Sequence, residues 1–229
     1  MRTALVTGAA GNLGAAVVKK FLAGSFRVVG TVSANDLQRP DFTSDAFDQR
    51  TVDLSNEDQT QQLLTSVIKK YGSIDAAVLT VGGFASGRIA DTSAAALLEQ
   101  YQLNFLTAYN VARPVFLQMM QQGHGRIFFI GSKAGLSADD GQGLVAYSLA
   151  KSLLLQLAGL MNKEASGKNV VCAVLVPGTI DTPLNRKSMP TVDPAGWVRP
   201  SSIADIIHFY CTDVAAAIRQ PVIKVYNNS

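Results

Sequence analysis

Thr3-Ala4-Leu5-Val6-Thr7-Gly8-Ala9-Ala10-Gly11-Asn12-Leu13-Gly14 is a short apolar run that gives way to a loop punctuated by three glycines. Beyond it Ala15, Val18, Phe21 and Leu22 recur at helical spacing, so the stretch reads strand, glycine loop, helix. Glycines let the backbone turn tightly and approach a ligand. The first N–H groups and positive macrodipole end of the following helix attract a pyrophosphate. An ordinary glycine-rich turn is the alternative reading. Against it, a second strand, Arg27 to Val32, follows the helix, as a dinucleotide-binding unit requires. Gly8, Gly11, Asn12, Leu13 and Gly14 are therefore the expected phosphate-side contacts.

Working outward, strands are predicted at Gln49 to Leu54, Ile74 to Val81, Arg126 to Ile130, Val170 to Val176 and Val222 to Tyr226, with helical patterns between them. Continuous apolar strands suit a parallel sheet covered on both faces. The expected fold is α/β, a single Rossmann-type doubly wound parallel sheet flanked by helices on both faces and spanning residues 1–229. Ser55 or Asn56 can cap the helix that buries Leu63, Leu64, Val67 and Ile68. Residues 94 to 121 read as one long helix kinked at Pro114. Residues 37 to 48 read as a surface loop, and 184 to 200 as an aperiodic, lid-like loop within a substrate segment of about 180–200. Ser201 or Ser202 is expected to start the last helix.

Composition limits the function classes. Of 229 residues, 48% are hydrophobic and 16% charged, enough for a sizeable core. The net charge of +3 comes from scattered Lys and Arg rather than a basic stripe, which argues against nucleic acid. No apolar run approaches the length needed to span a bilayer. Two cysteines, Cys172 and Cys211, form neither a metal cluster nor a disulfide framework and read as buried thiols of a reducing compartment, so a cytoplasmic location is expected and no metal.

Candidate chemistry lies at the carboxyl ends of the predicted strands. The end of the second reads Val32-Ser33-Ala34-Asn35-Asp36, where an acidic residue would favour a free ribose hydroxyl and a basic one a 2′-phosphate. Ser33 takes the discriminating place, Asp36 comes late and no base follows until Arg39; Ser33 can donate to a phosphate, which leans the expectation toward NADPH. Asp53, beside Leu54, is either an acceptor for the adenine amino group or a turn aspartate. Gly82-Gly83 would admit a ribose. Asn104 is a satisfied buried amide or a polar device at the site. Ser132 ends the fifth strand. Tyr147 and Lys151 are four apart on a predicted helix and so share a face, where the ammonium would favour the phenolate and draw the Tyr147 pKa toward neutrality.

Together these residues resemble the short-chain dehydrogenase/reductase family over essentially the whole chain. The resemblance implies an NAD(P)H-dependent oxidoreductase acting on a small carbonyl or alcohol, as a homodimer or homotetramer. It implies Asn104, Ser132, Tyr147 and Lys151 as the catalytic tetrad, Tyr147 as acid and base, and Asn104 holding a water. Lys151 and Tyr147 would also touch the cofactor, and Pro177, Gly178 and Ile180 would line its nicotinamide side. The chain departs from the family pattern in its glycine spacing, in Thr80-Val81-Gly82-Gly83 where the family carries Asn-Asn-Ala-Gly, and in a longer Ser132–Tyr147 loop. Asp181 to Pro190 with Trp197 is similar to the dihydropteridine reductase branch, which implies a quinonoid pterin as an alternative substrate, with Trp197 stacking on it and Arg186 or Lys187 at its polar edges. A dinucleotide-sensing regulator without catalysis is the reading from another class, and retention of both Tyr147 and Lys151 speaks against it.

Overall fold

The computed structural model describes residues 1–36 and 42–227, so part of the expected 37–48 loop, with Arg39, lies outside the described residues. Seven parallel strands run β1 (Thr3–Thr7), β2 (Arg27–Val32), β3 (Phe47–Thr51), β4 (Ala76–Leu79), β5 (His124–Ile130), β6 (Asn169–Pro177) and β7 (Val222–Val225), in the order β3-β2-β1-β4-β5-β6-β7. Chain direction across the sheet reverses between β1 and β4. That reversal opens a crevice at the strands' carboxyl ends, where ligands bind in such sheets.

Helices α1 (Asn12–Ala23) and α7 (Pro200–Tyr210) cover one face, burying Val17, Val18 and Phe21 with Ile203, Ala204 and Ile207. On the other face α2 (Glu57–Tyr71), α4 (Thr107–Gln122) and α5 (Val145–Glu164) bury Leu64, Val67, Val115, Met119, Leu154 and Ala158. Within β1 Ala4 and Val6 join the first cluster and Leu5 the second, and all three are fully buried. Burial on both faces is why such strands read as unbroken apolar runs. Each large side chain enclosed in this way stabilises the fold by about 1.5–3 kcal/mol.

Several expected boundaries move for identifiable reasons. The β4 ladder ends at Leu79 because Thr80 turns away, donating its N–H to Thr7 Oγ1 (3.0 Å) and its hydroxyl to Thr7 O (2.6 Å). Asn56, not Ser55, caps α2 by accepting from the Gln59 N–H. Pro114, the expected kink, lies inside the continuous α4. The expected long helix is interrupted earlier, after α3 (Ala94–Tyr101), by a wide π turn at Gln102–Leu106. That turn contains Asn104. Residues 184–200 are not wholly irregular either. Thr182 caps, and Pro183 begins, a short helix α6 (Pro183–Ser188), a 3₁₀ turn follows at Pro194–Gly196, and α7 starts at Pro200 rather than at Ser201 or Ser202. A proline at the first helical position has its missing N–H where no helical partner exists, which favours both starts. No helix among the described residues is long and apolar enough to cross a membrane.

Candidate active site

At the switch point lies a cleft of about 720 Å³, walled by Gly8, Gly11, Asn12, Leu13 and Gly14 on one side and by Val52, Asp53 and Leu54 on another, with Ser33, Asp36 and Gly82 also in its lining. Gly8 has a left-handed φ of +66°, and a Cβ added at Gly14 would stand 2.1 Å from the Gly8 carbonyl oxygen. The loop is thus closed to side chains. Helix α1 has no side-chain cap and no acidic residue in its first turn, leaving its leading N–H groups open to an anion. A narrow backbone cradle beside a helix start fits a dinucleotide pyrophosphate.

Thr80 replaces an amide in the next segment, and its paired hydrogen bonds with Thr7 tie the exits of β4 and β1 together. Gly82 then passes between two polar side chains: a Cβ there would meet Asn104 Oδ1 at 2.6 Å and Lys151 Nζ at 3.2 Å. Asn104 is buried, accepting from Gly83 N–H (3.1 Å) and donating to Gly83 O and Gln100 Oε1 (both 3.0 Å). The satisfied-amide reading therefore holds for its side chain, whose N–H groups are both spent. The π turn is what sets that amide against the glycine strand exit, a known use of such bulges at functional sites.

Tyr147 and Lys151 do share a face of α5, with the Lys151 Nζ 5.7 Å from the Tyr147 ring centre. The ammonium is only 5% exposed and donates to the Ile130 carbonyl at 2.9 Å. Burial lowers the Lys151 pKa from 10.5 to about 8. Burial also raises the Tyr147 pKa, and a hydrogen bond with Ser132 is what pulls it back. The expected lowering of the phenol by Lys151 is therefore corrected: burial takes both groups out of water, which disfavours the phenolate and the ammonium alike. Ser132, at the end of β5, also accepts from Ala134 N–H.

The remaining expected contacts divide. Asp53 accepts from the Ser55 N–H and hydroxyl, so it is a turn aspartate that also borders the cleft. Pro177, Gly178 and Ile180 stand outside the cleft lining. Gly178 N–H bonds Val225 O, and Ile180 pairs with Val198. Thr182 and Leu184, from the start of α6, enter the lining instead. Trp197 is 5% exposed and borders a separate cavity of about 630 Å³, so it offers no stacking face here. Arg186 spends its guanidinium on both Asp181 oxygens (2.6 and 2.8 Å), and neither it nor Lys187 reaches the cleft. Sequence reasoning passed over Phe84, whose ring is 68% exposed and meets the Tyr147 ring edge-to-face at 5.2 Å. Its place directly after Gly82-Gly83 was the available signal. Burial pushes the thiols of Cys172 and Cys211 up to about 12, so neither is a nucleophile near neutrality.

A family model described as short chain dehydrogenase matches residues 2–193. The chain belongs to the short-chain dehydrogenase family. Its relatives include the 3-oxoacyl-[acyl-carrier-protein] reductase FabG of Thermotoga maritima, 23% identical over 98% of this chain and 96% of that protein. The acetoacetyl-CoA reductase of Acinetobacter sp. is 26% identical over 80% of this chain and 76% of its own length. Among solved structures, the aldohexose dehydrogenase of Thermoplasma acidophilum superposes with a TM-score of 0.84 at 21% identity, over 99% of this chain and 93% of that one. Membership of the short-chain dehydrogenase family makes this chain an oxidoreductase fold built around a nicotinamide cofactor.

Proposed function

We propose that this short-chain dehydrogenase interconverts a small carbonyl compound and its alcohol, with Tyr147 as the general acid and base. The observation that carries the reading is one succession of neighbours. The glycine cradle and Gly82 line the same cleft, a Cβ added at Gly82 would meet Asn104 and Lys151, Lys151 shares a face of α5 with Tyr147, and Tyr147 is hydrogen-bonded to Ser132. A bound nicotinamide supplies or accepts hydride at the carbonyl carbon. Tyr147, its pKa raised by burial, holds its proton at neutral pH and can deliver it to the carbonyl oxygen. Ser132 orients that oxygen. Lys151 supplies buried positive charge under the cofactor side of the site, and Asn104 braces Gly83 and so the groove floor. Mixing purified protein with acetoacetyl-CoA or a panel of ketones and aldehydes should consume reduced nicotinamide. Tight dinucleotide binding with no turnover of any carbonyl or pterin would favour the sensor reading instead.

Reduction of a quinonoid dihydropterin is a second reading, and Phe84 favours it. An uncovered aromatic face beside the proton donor suits a flat heteroaromatic ring. Leu184, 71% exposed, borders the cleft at the start of α6. A coupled assay with quinonoid dihydropterin beside the carbonyl panel ranks the two by catalytic efficiency.

We further expect a homo-oligomer. Leu98, Tyr109, Leu117, Leu149, Leu153 and Leu160 leave apolar surface on the outer sides of α3, α4 and α5. Tyr101, Phe105 and Tyr109 add rings spaced 5.3 and 6.0 Å apart along one stripe. Phe116 and Leu157, on the same helices, pack against the core cluster. An uncovered apolar surface of this kind marks an interaction face. Light scattering at micromolar concentration should give at least twice the 24.3 kDa chain mass, and a monomer would contradict it.

A further inference from the structure

At the amino ends of β1, β4, β5 and β6, away from the candidate active site, lies a cavity of about 340 Å³ bordered by Arg2, Arg126 and Asn169. Arg126 is only 9% exposed, and burial lowers its pKa. Among the described residues no carboxylate comes within ion-pairing distance of it. Its guanidinium donates to neutral oxygens instead: the Gly125 and Asn169 carbonyls and Asn169 Oδ1, each at 2.9 Å, and Ala216 O at 3.4 Å. Arg219 converges on two of the same acceptors, Ala216 O at 2.7 Å and Asn169 Oδ1 at 3.5 Å. Arg2, which donates to Cys211 O at 2.7 Å, brings a third guanidinium, and none of the three has an acid paired to it among the described residues. Of the two carboxylates in the cavity wall, Asp213 is exposed and Asp75 has both oxygens engaged, one by His124 Nε2 at 3.0 Å and the other by the Thr3 N–H and the Ser73 hydroxyl.

Burying a charge is costly unless an opposite charge and hydrogen bonds replace the lost water. Carbonyl dipoles supply hydrogen bonds here, but no counter-charge, and Arg219 adds repulsion. We propose that the cavity is an anion site for a small oxyanion of the phosphate class, with Arg126 as its buried anchor and Arg2 as a second donor. The Arg126 Nε–H has no hydrogen-bond partner among the described residues and is not sealed from water, so it is open to a ligand. A planar guanidinium matches the spacing of phosphate oxygens. The volume holds such an anion together with several waters, at about 30 Å³ of liquid apiece. Its place at the opposite ends of the strands from the glycine cradle makes the site independent of the proposed chemistry at Tyr147.

The test is a calorimetric titration of the full chain with sodium phosphate, against sodium chloride at matched ionic strength, with excess NADH present to fill the glycine cradle. Wild type should bind phosphate saturably and melt at a higher temperature in phosphate than in the matched chloride. Arg126→Gln should weaken that binding on the order of tenfold or more, and Arg2→Gln, a change to an exposed side chain, roughly several-fold. NADH affinity should stay unchanged in both, since neither residue borders the cleft. A response no greater than that to chloride, phosphate binding that NADH abolishes, or binding that neither variant weakens would each overturn the site and leave Arg126 as a bridge between carbonyls only. Should Arg126→Gln fail to fold, Arg2→Gln decides alone. If NADH does not bind, the dinucleotide reading fails on its own, and the two variants still decide this site.

Discussion

Tyr147→Phe is expected to lower turnover on the order of 10³-fold, while dinucleotide affinity and thermal stability stay close to wild type. The substitution removes one hydroxyl and almost no volume. The ring contact with Phe84 and the packing of α5 persist, so the loss reads the missing proton rather than a disturbed site. Ser132 keeps its hydrogen bond with Ala134, so its own position does not depend on the phenol alone. Because burial raises the Tyr147 pKa, reduction should hold its rate across neutral pH and fall only on the alkaline side, as the acid form is lost. Oxidation of the alcohol should gain rate over that same alkaline range. The check is steady-state kinetics in both directions, with a calorimetric titration of cofactor beside them. Near wild-type turnover by the variant would remove Tyr147 from the chemistry.

Lys151→Met is expected to do two opposite things: abolish most turnover, on the order of 10²-fold or more, and stabilise the cofactor-free fold. The sign follows from the shift. The folded-state pKa of about 8 lies below the ordinary 10.5, so between those values the unfolded chain holds a proton that the folded chain does not. Stability contributed at this site is therefore smallest below pH 8 and rises as pH climbs toward 10.5, by about 3 kcal/mol in all. The ammonium is buried, so solvent screening reduces this little. Methionine removes the buried charge at similar length. It also leaves the Ile130 carbonyl without its donor, which offsets about 1–3 kcal/mol of the gain. Denaturant unfolding of both proteins from pH 7 to 10 reads the difference directly. The wild type should gain on the variant as pH rises, and parallel curves would mean that Lys151 is not held at a cost in the folded protein.

What was legible in the chain was what local chemistry specifies. The Arg27–Val32 strand appears with its expected ends because an apolar run is bounded on both sides by polar turns. Gly8 and Gly14 are found in the cradle because Gly8 takes a left-handed φ and a Cβ at Gly14 would collide with the Gly8 carbonyl, while Gly11 lies tight against that same oxygen. Tyr147 and Lys151 share a face because a helix places every fourth residue alike. Less legible were elements whose ends are set by side chains from elsewhere. Residues 94–121 carry an unbroken helical pattern, and Pro114 is a visible breaker. Yet the interruption falls at Asn104, whose amide bonds Gly83 on a different strand exit. Trp197, which the dihydropteridine reductase resemblance implied as a stacking surface, is buried.

The sequence by itself determined the doubly wound order of strands and helices, the glycine cradle, and the identity of the Tyr147 and Lys151 pair, because periodicity, glycine spacing and i to i+4 geometry act over a few residues. Only the tertiary structure decided the ionisation of that pair, the bracing of Thr7 by Thr80, the placing of Phe84 against the phenol and the return of Asp36 to the Ser33 N–H. Three of these four depend on how far water is excluded and on which groups from other strand ends arrive within hydrogen-bonding distance. The Asp36 turn is local, but the walls of the cleft it borders are gathered from β2, from the exits of β1, β3 and β4, and from α1, α3, α4 and α6, far apart in the chain.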